Sequence, residues 1–344
     1  MSSKRIRRIV IELGFISLLF AVTVCLQRAS GAYTSAFGAE PDEASHYVTA
    51  VMIRDYILHG LPHGPVSFAK NFYLHYPRVA FGLWPPLFHI LSGLWMVVFG
   101  VSRNSVMFLL AAFTVCWAWI FYRLACSVIG SYGAAISALL LVLLPETQRY
   151  TSSVMVDIPL ALAMLLAMRA YGRYLISEKI SDALLFGLFA ALALLVKYNA
   201  FALVLLPPLC VVLTGRYHLL RTKTFWLPAL VVPLIAGPWY VAARRLVLYA
   251  AEPGADRAPL GLSSVVTSAT GIIVVAGPVI FGLALIGAFL ISLSRHRPLE
   301  TNNSDARTLF SVSAAMVLAV FLFHVFYPLF EIRYSLPAAP ALIL

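Results

Sequence analysis

Apolar runs of about 20 residues recur along the whole chain, broken by short polar segments. A helix rises 1.5 Å per residue, so a run of that length crosses the roughly 30 Å hydrocarbon core of a bilayer. The pattern predicts membrane spans at 8–28, 105–124, 133–147, 158–176, 183–196, 198–214, 225–243, 269–293 and 309–327. A further apolar stretch starts near 336. The sequence stops on APALIL, nine residues after Ser335, too few for a span. An incomplete last helix or a longer protein is the expectation. No fixed-period repeat, low-complexity linker or soluble domain interrupts the pattern. It reads as one transmembrane domain over 8–344, with a long loop at 29–104.

Composition agrees with this class. Of 344 residues, 61% are hydrophobic and 11% charged, whereas soluble domains are nearer half apolar and a quarter charged. The chain is therefore predicted to be an all-α polytopic membrane protein. The first run follows MSSKRIRR. It is long for a signal peptide, no small-residue cleavage pattern follows closely, and many more spans come after it, so it reads as an uncleaved first helix. The net charge of +11 is read as Lys and Arg collecting in cytoplasmic loops rather than as a nucleic-acid surface. Cys25, Cys116, Cys126 and Cys210 lie in or beside apolar runs without metal-ligand spacing, and read as small packing residues.

One apolar run, WPPLFHILSGLWMVVFG at 84–100, is ambiguous, and charge resolves it. With the N-terminus in the cytoplasm and 84–100 not crossing, the inner segments are 1–8, 123–132, 169–182, 215–224 and 294–308. These hold 14 of the 25 Lys and Arg in 57 residues, as the positive-inside rule expects. A crossing would put 215–224 and 294–308 outside. The run is therefore predicted to lie on or dip into the outer face. Pro85-Pro86 suits a helix start, and Trp84 and Trp95 suit an interfacial depth.

This topology gathers the candidate chemistry on one side. The stretch AFGAEPDEASHY packs Glu40, Asp42 and Glu43 into four positions of a chain with only 14 carboxylates. Locally, the cluster is either a solvated helix start or a general base or metal ligand, with Glu40 shaping the turn. Asp157 opens a span in VMVDIPLALA, and Pro159 makes a simple cap an equal alternative. A carboxylate at such a depth would be partly desolvated and more basic. Lys197 in LLVKYNAF and Arg333-Tyr334 in EIRYSLPAAP are either snorkelling side chains at span ends or anion contacts. His46, His75 and His89 have no zinc spacing and read first as surface or interface histidines.

Taken in order, EPDE…HY, WPPLFH, MVDIP, LLVKYNAF and RYSLPAAP resemble the GT-C membrane glycosyltransferases. The branch is that of protein mannosyltransferases, aminoarabinose transferases and Rgt-like lipopolysaccharide sugar transferases. The resemblance covers about 8–340 and implies a GT-C-type helix bundle whose first external loop carries short interfacial helices. It also implies an enzyme that moves a sugar from a polyprenyl-phosphate donor to a lipid, glycan or protein acceptor. The setting would be the outer face of a bacterial inner membrane, in contact with the bilayer and without nucleic acid. By that resemblance Asp42, with Glu43 beside it, and Asp157 are the catalytic acids. The donor-phosphate grip has Arg78, Lys197 and Arg333 as its candidates in this chain. His46, His75 and Tyr334 are further substrate contacts. Some members use a divalent ion such as Mg or Mn, for which Asp42 and Asp157 would be the ligands. Aminoarabinose transferases carry a lysine before the Pro-Pro pair, where this chain reads GLWPP. An ion- or proton-coupled transporter is the alternative, disfavoured because the ionisable residues sit at one face without repeated halves. A lipid-binding scaffold is the third reading.

Overall fold

A computed structural model describes residues 3–62, 64–80, 82–245, 261–294, 304–327 and 331–344. Among these residues the chain is helical throughout, with no strand. The elements are α1 (Ser3–Ala29), α2 (Glu43–Asp55), α3 (Pro65–His75), α4 (Leu87–Phe99), α5 (Arg103–Leu143), α6 (Pro145–Thr151), α7 (Asp157–Ser177) and α8 (Ile180–Val196). A 3-10 segment, Tyr198–Val204, leads into α9 (Leu206–Thr214) and α10 (Lys223–Ala242). After a break come α11 (Leu262–Ala276), α12 (Pro278–Ser294) and α13 (Ser304–Phe326), a 3-10 turn Ile332–Ala338, and α14 (Ala339–Ile343).

Five of these helices are long and apolar enough to cross a membrane, within α1, α5, α7, α10 and α13. The chain is an integral, multi-pass membrane protein. Three differences from the expected spans have local causes. The spans predicted at 105–124 and 133–147 join into one 41-residue α5, kinked at Gly130, whose φ of 71° only glycine adopts without strain. The span predicted at 269–293 is not one rod: α11 and α12 meet at 101°, and Gly277 turns the corner with φ 78°. The segments 183–196 and 198–214 appear as α8 and as the 3-10 turn plus α9, broken at the extended Lys197. Much of the basic segment 294–308, on which the topology partly rests, lies outside the described residues.

The ambiguous run 84–100 forms α4, whose 13 residues reach only about 20 Å, short of the hydrocarbon core. Gly93 lets α4 cross α2 closely, since a Cβ there would meet Ala50 O and the Ile53 side chain at 3.0 Å and Arg54 N at 3.2 Å. Trp95 donates its indole N–H to Ser105 O and Oγ at 2.9 and 3.0 Å, tying α4 to the start of α5. Ser102 caps that start by accepting from Ser105 N.

One core runs from Ala32 to Leu342, with α7 and α8 at its centre. There Ala161, Ala167, Ala191 and Ala193 are buried and let neighbouring backbones approach. Gly187 lets α8 approach α10 closely, since a Cβ there would meet the Val231 side chain at 3.0 Å and the Pro228 Cα at 3.2 Å. The starts of α2 and α7 and the ends of α1 and α8 lie at one end of this bundle, where Glu43 bonds Val154 and Lys197 bonds Asp157.

Candidate active site

A brace first fixes the loop that carries the acidic stretch. Glu43, fully buried, accepts from Arg103 Nη2 at 2.9 Å, from Val154 N at 2.9 Å and from Gly38 N at 3.2 Å. Arg103 also donates to Ala32 O and to Ser152 O. One carboxylate thereby joins the loop before α2, the start of α5 and the loop before α7. Glu43, expected beside the catalytic acid, has its oxygens committed to this brace.

Glu40 is buried as well and is the hub of a second network. It accepts from Arg149 Nη2 at 2.8 Å, from Arg333 Nη1 at 3.3 Å and from the Tyr150 hydroxyl at 3.3 Å. Arg333, buried in the 3-10 turn, sends Nη2 to Glu331 Oε1 at 2.7 Å, with Asp42 Oδ2 at 3.7 Å. The Tyr334 hydroxyl donates to Glu331 as well.

Asp42 differs from its neighbours. It stands at the N-cap position of α2 but makes no side-chain capping bond, so the helix-cap reading does not describe it. Its side chain is 36% exposed, with Arg333 as a loose ion-pair partner. Partial burial raises its pKa above the usual 3.8, against the opposing pull of Arg333 and Lys197.

Asp157 and Lys197 complete the cluster. Lys197 Nζ donates to Asp157 Oδ1 at 2.9 Å, both side chains being buried. The ammonium lies 4.3 Å from the centre of the Tyr334 ring, a cation–π contact. The break between α8 and the following 3-10 turn swings Lys197 inward, so it does not snorkel. Asp157 Oδ2 and Arg333 Nε are buried without a hydrogen-bond partner. A buried polar atom without a partner calls for an explanation, and a bound ligand group is one.

The histidines divide. His46, one turn after Asp42, is buried, with Nδ1 at 3.0 Å from His89 Nε2 and its ring 4.4 Å from Trp84. Desolvation holds both rings neutral, His46 well below its usual value and His89 at about 4. They are packing residues under Asp42, not the surface histidines expected from local sequence. His75 lies exposed at the end of α3, with Nδ1 against Asn71 O at 3.0 Å. Arg78 is exposed in the following turn. Neither shares a hydrogen bond or ion pair with the cluster among the described residues. The structure thus brings together Asp42, Asp157, Lys197, Arg333 and Tyr334 and leaves Arg78 and His75 apart. It adds Glu40, Arg149, Tyr150 and Glu331, whose pairing no local pattern signals.

The donor set does not suit a metal. Among the described residues no group of three or more His, Cys, Asp or Glu side chains is arranged to hold an ion. Asp157 is occupied by Lys197, and Asp42 faces Arg333.

Among the described residues the protein is thus an all-helical membrane bundle with carboxylates and cations gathered at one end. Residues 84–241 match the family model of dolichyl-phosphate-mannose-protein mannosyltransferases. The chain also has the fold of ArnT from Cupriavidus metallidurans. With its crystal structure bound to undecaprenyl phosphate the TM-score is 0.66 at 18% identity, covering 96% of this chain and 59% of that one. With the apo structure the TM-score is 0.64 at 17% identity, covering 96% and 58%. The chain thus spans about three fifths of the ArnT length. No curated protein sequence matches it at a comparable level.

Proposed function

We propose that the protein is a membrane glycosyltransferase. It takes a sugar from a polyprenyl-phosphate donor and passes it to a lipid, glycan or protein acceptor. The observation that carries this reading is Asp42: an uncapped, partly desolvated carboxylate on a braced loop, beside Arg333 and next to the Lys197–Asp157 pair. The match of 84–241 to the mannosyltransferase family supports the same class.

In the proposed reaction, an acceptor hydroxyl or amine gives its proton to an Asp42 oxygen as its lone pair attacks the anomeric carbon. The bond from that carbon to the phosphate oxygen breaks, and the polyprenyl phosphate leaves with the electron pair. Lys197 and Arg333 offset the charge that develops on it. Arg333 is already held by Glu40 and Glu331, so the leaving phosphate competes with the more exposed carboxylate, Glu331, which is 48% exposed against 6% for Glu40. Asp157 holds the ammonium in place. Lys197 and Arg333 supply the positive charge at the site, and no step is routed through an ion. The Lys and Arg count along the chain supports a cytoplasmic N-terminus with the cluster on the outer face of the membrane.

The test is transfer itself. Membranes holding the protein are incubated with a panel of labelled polyprenyl-phosphate sugars. One donor should lose its label to an acceptor, and the Asp42→Asn variant should not support that loss. Label retained on every donor overturns the reading.

A further inference from the structure

The opposite end of α1 carries a second polar site. It lies around Glu12, about 23 Å along the helix axis from Gln27 at the cluster end. There a cavity of about 660 Å³ opens between α1 and α5, lined by Arg7, Glu12, Tyr122, Arg123, Ser127 and Ser131. Arg123 Nη1 bonds both Glu12 oxygens, at 3.0 and 2.9 Å, and its guanidinium lies 5.9 Å from the Trp119 ring centre. These contacts hold the guanidinium plane at the cavity wall. Arg7 is exposed and has no ion pair among the described residues.

Positive charge exceeds negative charge here. Arg169 of α7 lies within Coulombic reach of Arg123 and Arg173, and Arg173 is paired with Asp182 at 3.0 Å. In the cavity wall itself two guanidiniums, Arg7 and Arg123, stand with the single carboxylate of Glu12. Such an excess beside an open cavity favours an anion. The planar fork of arginine fits phosphate oxygens, and the Ser127 and Ser131 hydroxyls line the same wall. The surroundings select the kind of anion. Ile11 lines the cavity and is exposed, and its neighbours along α1 and α5, Ile9, Val10, Leu13, Ile129, Tyr132 and Ile136, are exposed apolar side chains as well. A free phosphate has no use for them, whereas acyl chains do.

We propose that this cavity binds an anionic phospholipid, with Arg7 and Arg123 gripping the headgroup phosphate and the flanking apolar residues meeting the acyl chains. By the Lys and Arg count this end faces the cytoplasmic leaflet, where basic pockets between spans recognise anionic headgroups. The lipid would bridge α1 to α5. It would add to the contacts the two helices already share, the Phe15–Tyr122 ring pair at 4.8 Å and the cluster around Leu19, Val115, Ala118 and Val142. At its far end α1 places Gln27, which donates to Thr151 O at 2.7 Å on the helix that bears Arg149.

Native mass spectrometry of the purified full chain tests this with phosphatidylglycerol, zwitterionic phosphatidylcholine and inorganic phosphate as probes. Phosphatidylglycerol should be retained in preference to phosphatidylcholine, and inorganic phosphate should not displace it. Arg7→Gln touches no fold contact and should weaken phosphatidylglycerol about fivefold, the share of one basic residue near a membrane surface. The pair Glu12→Gln with Arg123→Gln, which removes both partners together, should abolish the preference. Equal retention of the two lipids, ready displacement by phosphate, or wild-type binding by Arg7→Gln overturns the proposal.

Discussion

Lys197 Nζ and Asp157 Oδ1 lie 2.9 Å apart, with both side chains almost fully out of solvent. The pair joins the end of α8 to the start of α7 at the centre of the core. Removing one partner of a buried ion pair leaves an uncompensated charge, which costs about 3–5 kcal/mol, whereas replacing both with apolar groups is often neutral. Lys197→Met and Asp157→Leu should each lower the unfolding midpoint sharply in detergent. The double variant should recover much of the midpoint and transfer no sugar. If the double variant recovers transfer too, the pair serves only the fold.

Asp42 should separate chemistry from folding in the opposite way. It caps no helix and has one loose ionic partner, so Asp42→Asn should unfold at the wild-type temperature. Loss of a positioned base lowers the rate by about 10²–10⁴-fold, so kcat should fall within that range. Desolvation raises the Asp42 pKa, so more of it is protonated at a given acid pH. The acid limb of kcat/KM should therefore lie above the ordinary 3.8, with the rate falling as pH drops through it. The residual activity of the variant should lack that limb. Full turnover by Asp42→Asn under saturating donor would move the base to another residue.

Glu40 should matter more than its place in a turn suggests. It holds Arg149 at 2.8 Å and Arg333 at 3.3 Å. Hydrogen bonds to charged groups contribute about 1.5–3 kcal/mol, so Glu40→Gln should both destabilise the fold and loosen Arg333. The expected result is weaker donor binding with a lowered unfolding midpoint. Arg149 is 56% exposed, so Arg149→Gln should be milder, because exposed ion pairs contribute little. A Glu40→Gln protein with wild-type donor affinity would return Glu40 to a turn-shaping role.

The contrast between Asp42 and Glu40 marks what sequence could and could not reveal. Apolar run length is a local property with a direct physical meaning, and it placed α1, α7, α10 and α13. The Asp42, Asp157, Lys197 and Arg333 quartet also stood out, because charges in apolar surroundings are conspicuous. Glu40 did not, since its partners Tyr150 and Arg333 lie 110 and 293 positions along the chain. The partner of Glu43 was hidden for the same reason: Arg103, which bonds it, is 60 positions away. The bends at Gly130 and Gly277 depend on backbone angles that an apolar run conceals.

The His46–His89 pair gives a prediction in pH. Both rings are buried, 3.0 Å apart at their nitrogens, and packed against Trp84 and Phe88. Such a contact needs at least one neutral acceptor, and burial opposes charging either ring. The folded values lie below the ordinary 6.5, with His89 at about 4. The unfolded chain therefore binds more protons than the fold between those limits. Stability from the pair is complete above about pH 6.5 and declines as pH falls toward about 4. The pair lies one turn below Asp42, between α2 and α4, so its protonation should loosen the helix that presents the base. Thermal unfolding in detergent across this range should show the midpoint falling with acidity. In His89→Asn, where an amide replaces the titrating ring, that acid dependence should shrink while the neutral-pH midpoint drops modestly. An acid dependence equal to wild type in both His89→Asn and His46→Asn would assign it to the carboxylates instead.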